Sequence, residues 1–154
     1  MIALPPQVLV DASRILRAVT PTAAGYSGTP LPRNLGLKAG QRVLFEQPPA
    51  DDWVEVPHGA TVLGRPADGL DLVVTFVTSA ARLRARGAAL RPKLAQDGAL
   101  WVAWPKRASG VPTDVTEDVV RDLALERDLV DVKVCAIDET WSGLKLVIRK
   151  EARR

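Results

Sequence analysis

The chain has 154 residues, 47% apolar and 25% charged, the balance of one soluble globular domain rather than a disordered, collagenous or disulfide-stapled chain. Twenty-one basic against eighteen acidic side chains leave a net charge of +3, too small to single out nucleic acid as a partner. Cys135 is the lone cysteine and His58 the lone histidine, which excludes an internal disulfide and a structural zinc site, and no apolar run approaches the roughly 20 residues of a membrane span.

The opening Met1-Ile2-Ala3-Leu4-Pro5-Pro6 lacks the basic start, apolar core and cleavage pattern of a signal peptide, which predicts a cytoplasmic protein. Val8, Leu9, Ala12, Ile15, Leu16 and Val19 recur at helical spacing and Pro21 stops them. Residues 1–22 are therefore read as an appended helix, packed on the body or on a partner. Residues 23–150 form the main domain and 151–154 a tail. Gly25-Tyr26-Ser27-Gly28-Thr29-Pro30 is a loop, followed by a short helix over 31–35 that Gly36 ends.

Strands are predicted over 42–46, 61–63 and 71–77, the last apolar on both faces as a covered parallel strand must be. Ser79 caps a helix running to about 94, with Ala80, Leu83, Gly87, Leu90 and Leu94 on one stripe. Residues 98–104 are the next strand, on which Trp101 and Trp104 face opposite sides. Asp114 and Glu117 form a capping pair for a helix to about 127. Two strands close the chain, 132–137 and 144–149. The linker between them is too short for a crossover, so they are antiparallel neighbours, with Leu144, Leu146 and Ile148 sharing a face. The fold class is α/β: a Rossmann-like three-layer αβα domain whose mainly parallel sheet ends in an antiparallel C-terminal strand.

Leu35-Gly36-Leu37-Lys38-Ala39-Gly40-Gln41-Arg42-Val43-Leu44, with the later strands in order, resembles class I S-adenosylmethionine-dependent methyltransferases. A closer resemblance, to a small bacterial family known only as a domain of unknown function, is carried by Gly25 to Leu31, Trp104-Pro105-Lys106, Ser109 to Asp114, Thr116 to Val119 and Asp138 to Lys145. It implies the fold and no particular activity. The methyltransferase pattern implies glycines after the first strand and an acid after the second. Here Glu46 is followed by Gln47-Pro48-Pro49-Ala50-Asp51-Asp52, with no glycine and two residues lacking an N–H, and Gly64 and Arg65 stand where the second acid is expected. Of that motif only Glu46 is kept.

Ligands of open α/β sheets lie outside the carboxyl ends of the parallel strands. That edge predicts two places. Lys106, Arg107, Ser109 and Gly110 lead into a helix start, a candidate anion site unless Asp114 occupies the free amides. Asp138, Glu139 and Trp141 are either an acid pair beside a ring or an ordinary hairpin turn, and Tyr26 and Ser27 join them only if their loop reaches the same edge. Cys135 reads as a small core hydrophobe and His58 as a turn residue. Arg82, Arg84, Arg86, Arg91 and Lys93 crowd one helix and Glu117, Asp118, Asp122 and Glu126 the next, so a phosphate backbone would be repelled and pairing between the helices, or with a second copy, is expected.

The main functional expectation is a non-catalytic Rossmann-like binding module without a cofactor, a monomer or homodimer that takes a small anionic ligand or a protein partner, with neither nucleic acid nor membrane. The alternatives are a divergent S-adenosylmethionine-dependent methyltransferase and an interaction module acting through residues 1–22.

Overall fold

The structure, a computed structural model, describes residues 29–154; the expected helix over 1–22 and the loop residues Tyr26 and Ser27 lie outside them. Six strands form one sheet: β1 (Arg42–Glu46), β2 (Thr61–Leu63), β3 (Leu70–Phe76), β4 (Leu94–Pro105), β5 (Leu129–Ala136) and β6 (Trp141–Ile148), in the order β2-β1-β3-β4-β6-β5. The first four are parallel. β6 runs antiparallel to β5, as the short final linker predicts, and lies between it and β4, antiparallel to both. Leu144, Leu146 and Ile148 do share one buried face.

Helices α2 (Ala80–Leu90) and α3 (Glu117–Glu126) cover one face of the sheet, where Leu83, Leu90, Val120 and Leu123 pack on Leu100, Val102 and Trp104. The other face carries the short helix α1 (Leu31–Leu35) and the segment 47–60, packed on Val74, Phe76, Trp101 and Ala103. Trp101 and Trp104 thus fill opposite layers. A helix of five residues cannot hold itself in water. Burial of Leu35 and the hydrogen bond that the Trp101 indole donates to the Leu35 carbonyl (2.9 Å) hold α1 in place.

Several expectations are corrected, beginning with β5, which starts at Leu129 rather than at 132. The helix begun at Ser79 ends at Leu90, and Arg91–Lys93 form a 3-10 turn around Pro92, which supplies no N–H for an α-helical bond. β4 starts at Leu94 rather than at 98, because a register shift against β3 lets residues 95–98 bulge out before the ladder resumes at Ala99. The hairpin turn is shorter than expected, since Trp141, Ser142 and Gly143 already belong to β6. Asp114 does not cap α3. Its carboxylate accepts from the Ala80 amide at the start of α2 (2.8 Å), and the cap of α3 is Thr116, whose hydroxyl accepts from the Val119 amide (3.2 Å).

α2 and α3 lie side by side, yet among the described residues no ion pair joins them. Arg86 turns to Glu46 and Lys93 to Asp68, while Arg121 of α3 is neutralised by Glu117, Asp118 and Asp131. The edge strand β5 exposes Val130, Val132 and Val134; a register shift at Val132 and the charge of Lys133 blunt that edge against pairing with another strand.

Two glycines separate tight backbone contact from adaptable packing. A Cβ at Gly98 would stand 2.5 Å from the Leu70 carbonyl oxygen, a backbone atom, whereas one at Gly87 would meet only the end of the Leu123 side chain at 3.0 Å. Gly98→Ala should lower stability by about 2–3 kcal/mol through overpacking. Gly87→Ala should stay within about 1 kcal/mol of the parent, because the helix gains propensity as Leu123 shifts. Urea unfolding of the two variants checks the contrast.

Candidate functional site

The chain leaves β1 for β2 on one side and returns to β3 on the other, so the strand order reverses between β1 and β3. A crevice opens at such a switch point, at the carboxyl ends of the strands. Glu46 and Thr75 are register partners there, on the face covered by α2. The Thr75 hydroxyl donates to Glu46 Oε1 (3.0 Å), and Arg86 of α2 grips the same carboxylate with both arms of its fork, Nε to Oε1 at 2.9 Å and Nη2 to Oε2 at 2.5 Å. The side chains of Arg86 and Glu46 are only 22% and 12% exposed. Their hydrogen bonds push the Arg86 guanidinium above its already high range.

On the opposite face of the same edge four aromatic rings stand in a row. Phe45, Trp53, Phe76 and Trp141 meet edge to face, with centroids 5.0, 5.0 and 5.1 Å apart. They come from the ends of β1 and β3, the start of β6 and the segment 47–60. Trp53 Nε1 is buried and has no hydrogen-bond partner among the described residues, a deficit worth about 1–3 kcal/mol. Between Glu46 and Trp53 the chain turns at Gln47, whose φ of 54° is left-handed, a conformation normally left to glycine.

The expected anion loop lies further along this edge. Lys106 does not extend into solvent: its backbone N–H donates to the Thr140 carbonyl (2.7 Å) and its ammonium to the Asp138 carbonyl (2.6 Å). Arg107–Ser109 form a 3-10 turn ended by Gly110, and Arg107 is exposed. The Ser109 hydroxyl donates to the Lys106 carbonyl and accepts from the Val111 amide, while the Ser109 and Gly110 amides bond within the turn. The loop therefore spends much of its donor capacity on itself. It still walls a cavity of about 530 Å3 with Trp104, Thr113, Thr116 and Ser142.

Asp138 serves the hairpin: Oδ1 accepts from the Thr140 and Trp141 amides (2.8 and 2.7 Å), an Asx turn, and Glu139 is exposed. The two acids do not form a working pair around one point. Trp141 closes the aromatic row instead. The residues that sequence reading missed are Thr75, Arg86, Gln47, Trp53, Phe45 and Phe76. Only the position of Glu46 at a strand end signals the place; its partners lie 29 and 40 positions away.

Cys135 is buried, and burial pushes its thiol above the ordinary range against the pull of Lys133 and Lys106. Among the described residues no group of three or more His, Cys, Asp or Glu side chains is placed to hold a metal ion, and no helix is long and apolar enough to cross a membrane.

Two outcomes follow from this geometry. Arg86→Ala leaves Glu46 largely buried without its cation and should cost about 2–4 kcal/mol in urea unfolding, with Glu46→Gln milder because it retains an acceptor for Thr75. A thiol reagent should modify Cys135 about tenfold or more slowly in the native protein than in denaturant, as mixing kinetics will read.

No family model matches the chain, and no curated protein matches it. Solved structures do. A putative type 11 methyltransferase from Sulfolobus solfataricus superposes with a TM-score of 0.54 at 12% identity, over 80% of this chain and 92% of that one. Magnesium protoporphyrin IX methyltransferase from Synechocystis PCC 6803, solved with bound S-adenosylmethionine, gives 0.53 at 8% identity, over 77% and 74%. The ribosomal protein L11 methylase of Lactobacillus delbrueckii subsp. bulgaricus gives 0.50 at 10%, over 77% and 75%. The fold is that of the class I methyltransferases. The expectation of a module without a cofactor is corrected here, because this fold carries S-adenosylmethionine in such a neighbour.

Proposed function

We propose that the chain is a divergent S-adenosylmethionine-dependent methyltransferase whose cofactor sits at the β1–β3 switch point. The observation that carries this reading is the strand order, with β6 inserted antiparallel between β4 and β5 and the reversal at Glu46 and Thr75, in a fold shared with a neighbour solved with that cofactor. The residues of the edge fit it in three ways. Glu46 keeps the acid at the end of β1, Gln47 keeps a glycine-like turn after it, and Trp53 holds a buried indole N–H without an acceptor. They depart from the family pattern in two. The segment 47–60 contains no helix to offer a cluster of free amides, and Gly64 and Arg65 supply no acid after β2.

When bound, S-adenosylmethionine supplies an electrophilic methyl group on a sulfonium centre. The chain's own residues bind and orient. Glu46, paired with Arg86 and held by Thr75, keeps the end of β1 rigid at that edge. Trp53 offers its unused N–H, and the row from Phe45 to Trp141 offers apolar surface that excludes water. The cavity beside Lys106, Arg107 and Gly110 offers room for an acceptor substrate, and the exposed Arg107 favours an anionic one.

Isothermal titration with S-adenosylmethionine and S-adenosylhomocysteine tests the reading. Binding tighter than about 0.1 mM, near −5.5 kcal/mol, is expected for at least one of them. Trp53→Phe, which keeps the ring packing and removes the N–H, should weaken it about tenfold while leaving stability equal or higher. Absence of binding by the folded protein at millimolar concentrations of both compounds overturns the proposal.

A further inference from the structure

At the opposite, amino-terminal edge of the parallel strands lies a cavity of about 240 Å3, bounded by Gly36, Lys38, Gln41, Asp71, Asp97 and Lys145. Its charges are arranged in an unusual way. Lys145 of β6 and Lys133 of β5 are direct cross-strand partners, and like charges in that relation destabilise a sheet. Lys145 also lies opposite Trp101 on β4, so it occupies the face covered by α1. It is half-buried, and its side chain forms no hydrogen bond or ion pair among the described residues. Lys133 donates to the Asn34 carbonyl (3.0 Å) and has no carboxylate partner there either.

The groups around Lys145 do not relieve it. Burial lowers its pKa, and the charges of Lys133 and Lys38 lower it further. Asp71 lines the cavity, but its Oδ2 accepts from the Arg42 amide at 2.9 Å, and Asp97 is exposed. The Gln41 side chain is spent on the Lys38 amide and the Gly36 carbonyl, which fixes the turn on which Lys38 stands. Lys38 and Lys145 therefore line a concavity that Asp71 and Asp97 also border, and Lys133 stands behind Lys145 on the neighbouring strand; among the described residues none of the three ammonium groups forms an ion pair. Elsewhere cations beside the sheet are paired with acids: Arg86 of α2 has Glu46, Arg121 of α3 has Asp131, and Arg149, just after β6, has Asp128.

We infer that Lys145, with Lys133 and Lys38, forms a binding site for a small phosphate-type anion at the amino edge of the sheet. Its charge would replace the missing carboxylate and convert the repulsion between the lysines into charge-assisted hydrogen bonds. The site is separate from the switch-point crevice, at the other end of the strands, and does not depend on the methyltransferase reading.

The test uses the full chain and inorganic pyrophosphate, with sodium chloride at matched ionic strength as the reference. Thermal melting and isothermal titration are read for the parent, Lys145→Gln, and Lys93→Gln as a control whose cation pairs with Asp68. Pyrophosphate should raise the melting temperature of the parent and of Lys93→Gln above the chloride reference. Lys145→Gln should lose that shift and bind at least about tenfold more weakly, yet melt at or above the parent temperature without the anion, because one repulsion has gone. An equal response in the parent and Lys145→Gln overturns the site, as does no response beyond chloride in the parent. A lower melting point for Lys145→Gln without anion overturns the claim that the lysine stands uncompensated.

Discussion

Strand β4 must accept a parallel neighbour on one edge and an antiparallel one on the other while hydrophobic layers cover both its faces. From Ala99 to Pro105 it therefore carries no ionisable side chain, and every residue of that stretch is buried. Leu100, Val102 and Trp104 supply the layer under α2 and α3; Trp101 and Ala103 supply the other. The remaining elements are placed by reference to this strand. α1 hangs from the Trp101 indole, and β3 lines up on β4 after the bulge at residues 95–98. The β5–β6 hairpin is tied to its carboxyl end through both the amide and the ammonium of Lys106.

The carboxyl edge built in this way joins two kinds of stabilisation. On the α2 side a buried ion pair crosses from helix to strand, and its value depends on good geometry, since two desolvated charges gain little unless their hydrogen bonds are complete. Glu46 meets that condition with three bonds from two partners. On the other side the contacts are quadrupolar and apolar, with neighbouring rings nearly perpendicular.

The order of elements was legible because burial leaves periodic marks in the sequence. Leu144, Leu146 and Ile148 alternate, the stripe from Leu83 to Leu90 recurs at helical spacing, and residues 71–76 are apolar on both faces. The site was legible only at Glu46 and along the loop from Lys106, since a strand end and a helix approach are local features. Arg86 reads as one more cation on a basic helix until the fold brings it to Glu46. Asp114 reads as a cap for the helix that follows it, yet its acceptor serves the helix before, because the loop folds back over Ser79. Trp53 lies in a segment without periodicity, where nothing marks which side chain turns inward. Pairings between distant positions are tertiary choices, and single-sequence patterns hold no record of them.

The segment 47–60 replaces a crossover helix with an irregular path, which bears on the motions open to the molecule. Two of its internal backbone hydrogen bonds, Trp53 to Ala50 and Ala60 to Pro57, span only three positions each. Much of its hold on the sheet comes from the indole of Trp53, wedged between Phe45 and Phe76. Withdrawal of Trp53 together with its neighbour Val54 would free the middle of the segment without breaking a strand ladder. Local openings that cost a few kcal/mol populate minor states of about 0.1–10%. Exposure of the sheet face beneath the segment would then run on the clock of loop motion rather than of unfolding.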